Sequence, residues 1–187
     1  MFKNILSYTF ELIKIVAISL AIIIPIRYYL IQPFYVKGAS MEPNFYDHEY
    51  LIINEISYRF NDPVRGDIIV FKYPKNPQEY FIKRIVALPN EKIQVKDGQV
   101  IIYNDTYPEG AILEEKYLDE DIKTYSISED IITLGDNEYF VFGDNRTSSK
   151  DSRSFGAVDR SFIIGKVFFR GWPFDRMGLF RTPEYQY

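Results

Sequence analysis

With 187 residues, 47% of them hydrophobic, and a formal net charge of −4, the chain has enough apolar material for one core plus an accessory segment. It lacks the basic excess of a nucleic-acid binder. The absence of cysteine excludes disulfides, a thiol nucleophile and cysteine-ligated metals, and a single histidine, His48, excludes a histidine-rich metal site.

In chain order, the first feature is an uncharged apolar run at 15–26, "IVAISLAIIIPI", between Lys14 and Arg27. Taken alone it is short of the roughly 20 residues that cross a bilayer. Counted from about 10 to 31, with Lys14 and Arg27 snorkelling and Tyr28, Tyr29 and Tyr35 at an interface, the length suffices. A cleavable signal peptide needs small residues just beyond the apolar core, and "RYYLIQPFYV" is bulky there. The reading is therefore an uncleaved anchor over 1–32 followed by a single body over 33–187.

Beyond residue 33 the pattern turns to strands. "YLIINEI" (50–56), "DIIVFKY" (67–73), "YFIKRIVAL" (80–88), "YFVFGD" (139–144) and "FIIGKVFF" (162–169) are rich in β-branched and aromatic residues. "EKIQVKDGQVIIYND" carries Asp97-Gly98 between alternating runs, a strong hairpin signal. Residues 104–137 are acidic and irregular, and "EEKYLDEDIK" is expected to be a solvated excursion rather than a core element. The fold class is mainly β, an antiparallel β-sheet body preceded by one N-terminal transmembrane helix.

Three polar stretches interrupt this apolar framework. "GASMEP" places Ser40 in a small turn a few residues after the anchor, with Pro43 opposing helix formation. "FIKRIVALP" sets Lys83 and Arg84 inside an apolar strand, where period-2 alternation sends them to opposite faces, Lys83 alongside Phe81 and Ile85. "GDNRTSSKDSR" crowds Asp144, Asn145, Arg146, Ser149, Asp151, Ser152 and Arg153 between two strands. By composition alone these could be an exposed strand lysine and a polar turn.

Together the three stretches, with "RGDIIVFKYP" (65–74) between them, resemble the type I signal peptidases, membrane-anchored serine proteases with a Ser-Lys dyad, and the compact body resembles their Gram-positive branch. The resemblance runs from about Phe34 to Trp172. It implies Ser40 as nucleophile, Lys83 as general base and Ser149 as the hydroxyl that orients the lysine. It implies supporting ion pairs Asp144–Arg84 and Asp151–Arg153. Phe34, Val36, Met41, Leu51, Val70, Phe81 and Ile82 align with the apolar walls that receive the substrate's −1 and −3 side chains. Signal-peptide-bearing preproteins and the lipid bilayer are the implied partners, with no cofactor, metal or nucleic acid, and the body lies on the extracytoplasmic side. Two positions depart from the pattern. Gly38 stands where some members carry a serine hydroxyl that helps the Ser40 N–H hold the oxyanion, and Asn44-Phe45 replaces the usual Thr-Leu.

The chemistry asks for the same residues. A serine hydroxyl is a weak nucleophile and needs a base. A lysine serves only when neutral, and bringing its pKa from about 10.4 to about 8 costs roughly 3.3 kcal/mol. Desolvation by apolar walls supplies such a shift. A Ser-Lys protease of the self-cleaving repressor type and an inactive membrane-anchored β module are the competing readings. The anchor disfavours the first, and the presence of both Ser40 and Lys83 disfavours the second.

Overall fold

A computed structural model describes residues 2–29, 31–119, 121–183 and 185, with side chains for 8–24, 32–119, 121–183 and 185. Helix α1 (Phe2–Tyr29) leads into strand β1 (Ile31–Tyr35), so the helix and the sheet are joined almost without a linker. Every described side chain of α1 is exposed, including Phe10, Ile15, Leu20 and Ile24. Among the described residues no helix is long and apolar enough to cross a membrane. The Tyr28 and Tyr29 side chains, read as interfacial, lie outside the described ones.

The body consists of two antiparallel sheets. The larger contains β1, β2 (Tyr50–Asn54), β3 (Ile68–Tyr73), β4 (Asn76–Ala87), β9 (Glu138–Phe142), β10 (Val158–Asp159), β11 (Ile163–Trp172) and β12 (Gly178–Leu179). Its order is β1-β2-β11-β3-β4-β9-β10, with β12 on the flank of β11. The smaller sheet runs β7-β6-β5-β8, from β5 (Lys92–Lys96), β6 (Gln99–Tyr103), β7 (Ala111–Ile112) and β8 (Ile132–Thr133). The expected Asp97-Gly98 turn closes the β5–β6 hairpin, both residues at positive φ as a type I′ turn requires.

The large sheet is apolar on both faces, and β3 makes this visible. Ile68 and Val70 join Val36, Met41, Phe45 and Leu51 in one cluster, while Ile69 and Phe71 join Ile85, Val141 and Val158 in another. A strand buried on both sides therefore reads as a continuous apolar run, as "IIVF" does. A third cluster lies between the sheets, where Phe140, Phe142 and Val86 meet Ile93, Val100 and Ile102.

The acidic 104–137 segment departs from expectation. It contributes β7 and β8, buries Leu113, Thr124 and Leu134, and lays Glu115 against Arg146 and Tyr117 over Arg84. Apart from Glu115 its described charges stay outside, but a few interspersed residues carry it into contact, and averaging the composition over the window hid them.

One buried ion pair connects the sheets. Glu91 accepts from Arg65 Nη2 at 2.5 and 2.7 Å, from the Leu88 N–H at 2.8 Å and from Asn104 Nδ2 at 3.0 Å. Removing one partner of a buried pair strands the other charge. Glu91→Ala is therefore expected to lower unfolding free energy by about 3–5 kcal/mol, read from the denaturant midpoint.

Candidate active site

The turn that carries Ser40 is held from two directions. On one side Gly38 donates its N–H to Asp47 Oδ1 at 2.9 Å, at φ +86°. That backbone conformation favours glycine, so this position suits Gly although nothing lies within 4 Å of a would-be Cβ. On the other side the loop after β9 reaches over. The Asn145 N–H donates to the Ser40 carbonyl at 3.1 Å, and Asn145 Nδ2 donates to the Ala39 carbonyl at 3.1 Å. Gly143 sits at the closest approach, where a Cβ would collide with the Ser149 hydroxyl and the Ser40 carbonyl.

Lys83 arrives from β4. Alternation along "FIKRI" sends its amine to one face and the Arg84 guanidinium to the other, as the strand period requires. Its Nζ lies 2.7 Å from Ser40 Oγ and donates to the Ile82 carbonyl at 2.8 Å. The side chain is 4% exposed, with Nζ 5.5 Å from the centre of the Phe81 ring. Burial pulls the Lys83 pKa down to about 8, against the opposing pull of the Asp151 and Asp144 carboxylates.

Those two carboxylates are each held by a guanidinium. Arg84 Nε and Nη2 reach Asp144 Oδ1 and Oδ2 at 2.8 and 2.7 Å, and Arg153 Nε and Nη2 reach Asp151 Oδ1 and Oδ2 at 2.8 and 2.7 Å. Both forks are bidentate, the strong geometry for such pairs. Asp151 also accepts the Gly143 N–H at 3.0 Å and caps the short helix α2 (Ser152–Phe155) through the Arg153 N–H. Around Asp144 three long-range contacts lay beyond the sequence reading. Asn44 Nδ2 donates to Asp144 Oδ2 at 2.9 Å, the Tyr117 ring covers the Arg84 guanidinium at 3.8 Å, and Arg146 pairs with Glu115 and Thr124. Pairings across 100 and 31 residues leave no local sequence signal.

Beside the Ser40–Lys83 pair lies an open cavity of about 580 Å³. Phe34, Val36, Leu51, Val70, Phe81 and Ile82, all expected as walls, line it. Met41 does not. It is 1% exposed and packed beneath the Ser40 turn with Val36, Leu51 and Val70, because the turn directs it into the core. Nor does Ser149 bond to Lys83: its Oγ is buried without a hydrogen-bond partner, and the Ile82 carbonyl takes the amine instead. Asn44 and Phe45, the substituted pair, also stay out of the cavity, Phe45 being buried against Phe180 with ring centres 4.5 Å apart.

A lysine that titrates near 8 in the folded chain and near 10.4 when unfolded opposes folding in full below about pH 8, where both states are protonated, and ceases to do so above about 10.4. The unfolded state binds more protons between those values, so stability rises with pH across that window. The deficit below pH 8 amounts to about 3 kcal/mol. Lys83→Met is expected to stabilise the fold by about 1–3 kcal/mol at pH 7, a gain that fades above pH 10, as measured by denaturant unfolding at each pH.

Comparison with known proteins sets this geometry in a family. The family model described as "Signal peptidase, peptidase S26" matches residues 9–172. A probable signal peptidase I-2 of Synechocystis sp. is 37% identical over 174 residues, covering 90% of this chain and 76% of that protein. Signal peptidase IB of Staphylococcus aureus is 30% identical over 185 residues, covering 93% of this chain and 95% of that protein. A crystal structure of a signal peptidase I from Enterococcus faecalis V583 is 30% identical and covers 57% of this chain and 97% of its own, at a TM-score of 0.46. The chain belongs to the signal peptidase family, peptidase S26.

Proposed function

We propose that this chain removes N-terminal signal peptides from preproteins as a signal peptidase I, with Ser40 as nucleophile and Lys83 as its general base. The observation that carries the dyad is the 2.7 Å approach of a buried lysine amine to the Ser40 hydroxyl. Once neutral, Lys83 takes the proton from Ser40 Oγ as the oxygen attacks the carbonyl of the −1 residue. The tetrahedral oxyanion forms within reach of the Ser40 N–H, which no acceptor among the described residues occupies. The Lys83 ammonium then protonates the departing amine as the scissile C–N bond breaks. Water, deprotonated by the regenerated amine, releases the signal peptide from the acyl-enzyme. Ion pairing of Asp144 and Asp151 with Arg84 and Arg153 offsets the charges that would otherwise keep Lys83 protonated.

The cavity supports an extended substrate. β4 pairs with β3 along residues 80–84, whereas β9 joins its other edge only from Arg84 onward. Residues 79–83 therefore offer free backbone groups beside Ser40, and β1 offers another open edge across the cavity. A strand laid between them presents alternate side chains to the apolar wall, as β-augmentation does.

We further propose that residues 1–32 tether the body, 33–187, to the membrane with the catalytic face outside the cytoplasm. An apolar helix that exposes every described side chain needs a covering medium, and lipid is the one that suits it. The direct junction between α1 and β1 then keeps Ser40 near the surface where a membrane-inserted preprotein presents its cleavage site.

Two measurements test this reading. A synthetic precursor with Ala at −1 should be cut at one bond, while Phe at −1 should slow cleavage at least tenfold; equal cutting of both would discard the wall assignment. Wild-type kcat should rise with pH through about 8, because the neutral amine is the active form and only about a tenth is neutral at pH 7. Lys83→Arg, charged at every working pH, should fall by about 10²–10⁴-fold, and a folded variant keeping a tenth of the activity would end the general-base assignment.

A further inference from the structure

We infer that Asn145 is the positioning residue that aims the oxyanion-binding N–H of Ser40, an inference that rests on the Ser-Lys reading above. The Ala39 carbonyl and the Ser40 N–H are the two ends of one planar peptide unit, pointing in opposite directions. Whatever holds the oxygen fixes the hydrogen. The Ala39 oxygen accepts from Asn145 Nδ2 at 3.1 Å and, within its own turn, from the Glu42 N–H at 3.2 Å. The next peptide unit is pinned as well, because the Ser40 oxygen accepts from the Asn145 N–H at 3.1 Å. One residue thus sets the planes on both sides of the nucleophile. Among the described residues the Ser40 N–H itself meets no acceptor, which leaves it free for a developing charge.

The side chain of Asn145 is itself oriented. Its Oδ1 accepts from Thr147 Oγ1 and the Ser148 N–H, both at 3.1 Å, so the amide nitrogen is the end turned toward Ala39. Its backbone is carried by Asp144, which the Arg84 fork immobilises. The clamp matters more here because Gly38 has no side chain to contribute a donor, so the aim of one backbone N–H decides how well the oxyanion is stabilised. Asn145 therefore acts through the Ala39–Ser40 peptide rather than on substrate.

The decisive variant is Asn145→Asp. It keeps the shape, the backbone N–H and the Oδ1 acceptor but turns an oxygen toward the Ala39 carbonyl, replacing a hydrogen bond by repulsion between acceptors. Asn145→Ala removes the bond without the repulsion. Loss of an oxyanion donor costs about 10²–10³-fold in kcat, so misaiming one is expected to cost about 10–10²-fold. The loss should fall on kcat with KM within about twofold, because the interaction exists only in the transition state. In Asn145→Ala, which adds no charge, the pH at which activity rises should stay that of wild type, whereas the new carboxylate of Asn145→Asp raises the Lys83 pKa and moves that limb upward, so kcat is compared on the alkaline plateau; the thermal midpoint should stay within a few degrees. Full-length detergent-solubilised protein and a synthetic precursor serve for all variants, with Ser40→Ala and Lys83→Met as controls. If both controls are inactive while Asn145→Asp and Asn145→Ala keep wild-type kcat, the Asn145 assignment is overturned and the dyad stands. If either control stays active, the dyad reading fails first and the Asn145 assignment with it. A loss that comes with a raised KM or a lowered thermal midpoint in either variant, or with a moved pH limb in Asn145→Ala, would make Asn145 merely structural and equally overturn the assignment.

Discussion

Keeping an amine dry is the constraint around which this molecule is arranged. Lys83 is buried beside Phe81 in a strand packed on both sides, and that desolvation brings its pKa near neutrality. Any free carboxylate nearby would reverse the effect, yet the loop that frames Ser40 carries two, Asp144 and Asp151. The bidentate Arg84 and Arg153 forks meet this need in the same way twice. Buried ion pairs are weak stabilisers when weighed against apolar substitutes. Their place here is explained by geometry and charge, as they fix the loop carrying Gly143 and Asn145 while limiting the field at Lys83.

Support for that arrangement spreads well beyond the catalytic loop. The acidic segment sends Tyr117 over Arg84 and Glu115 to Arg146, so the small sheet and its connections brace the back of the site. From the other side Arg170 and Arg176 share Glu49 and grip the Pro43 and Asn44 carbonyls just after the Ser40 turn. The C-terminal segment joins through Thr182, which donates to Asp67, and through Phe180 against Phe45. Ser40 thus sits in a turn whose neighbours are tied to four distant parts of the chain.

What could be read in advance followed the range of the interaction that determines it. The strands were legible because their signals are local, as were the hairpin at Asp97-Gly98 and the opposite facing of Lys83 and Arg84. The cavity walls came from the family resemblance; six of the seven line the cavity, and Met41 is instead packed in the core beneath Ser40 by the tight turn after Gly38. The bond from Ser149 to Lys83 that the resemblance implied is not made, the Ser149 Oγ being buried without a hydrogen-bond partner. Asn145 and Arg146 stood out only as members of a crowded polar stretch, without their partners, and Asn44 and Tyr117 could not be tied to the site. Each is an ordinary polar or aromatic residue in its own neighbourhood and gains its part from a partner dozens of residues away.

The same long-range wiring bears on how the chain folds. Ser40 and Lys83 are 43 residues apart, Arg84 and Asp144 60, Asn44 and Asp144 100, and Arg170 and Asn44 126. Closing such loops is entropically costly, and topologies rich in distant contacts assemble slowly. Until the last of them closes, Lys83 is a solvated side chain with an ordinary proton affinity and Ser40 an ordinary alcohol. On the dyad reading, an unfinished chain carries both reactive groups and neither reactivity, so hydrolytic competence emerges only when the native topology is complete.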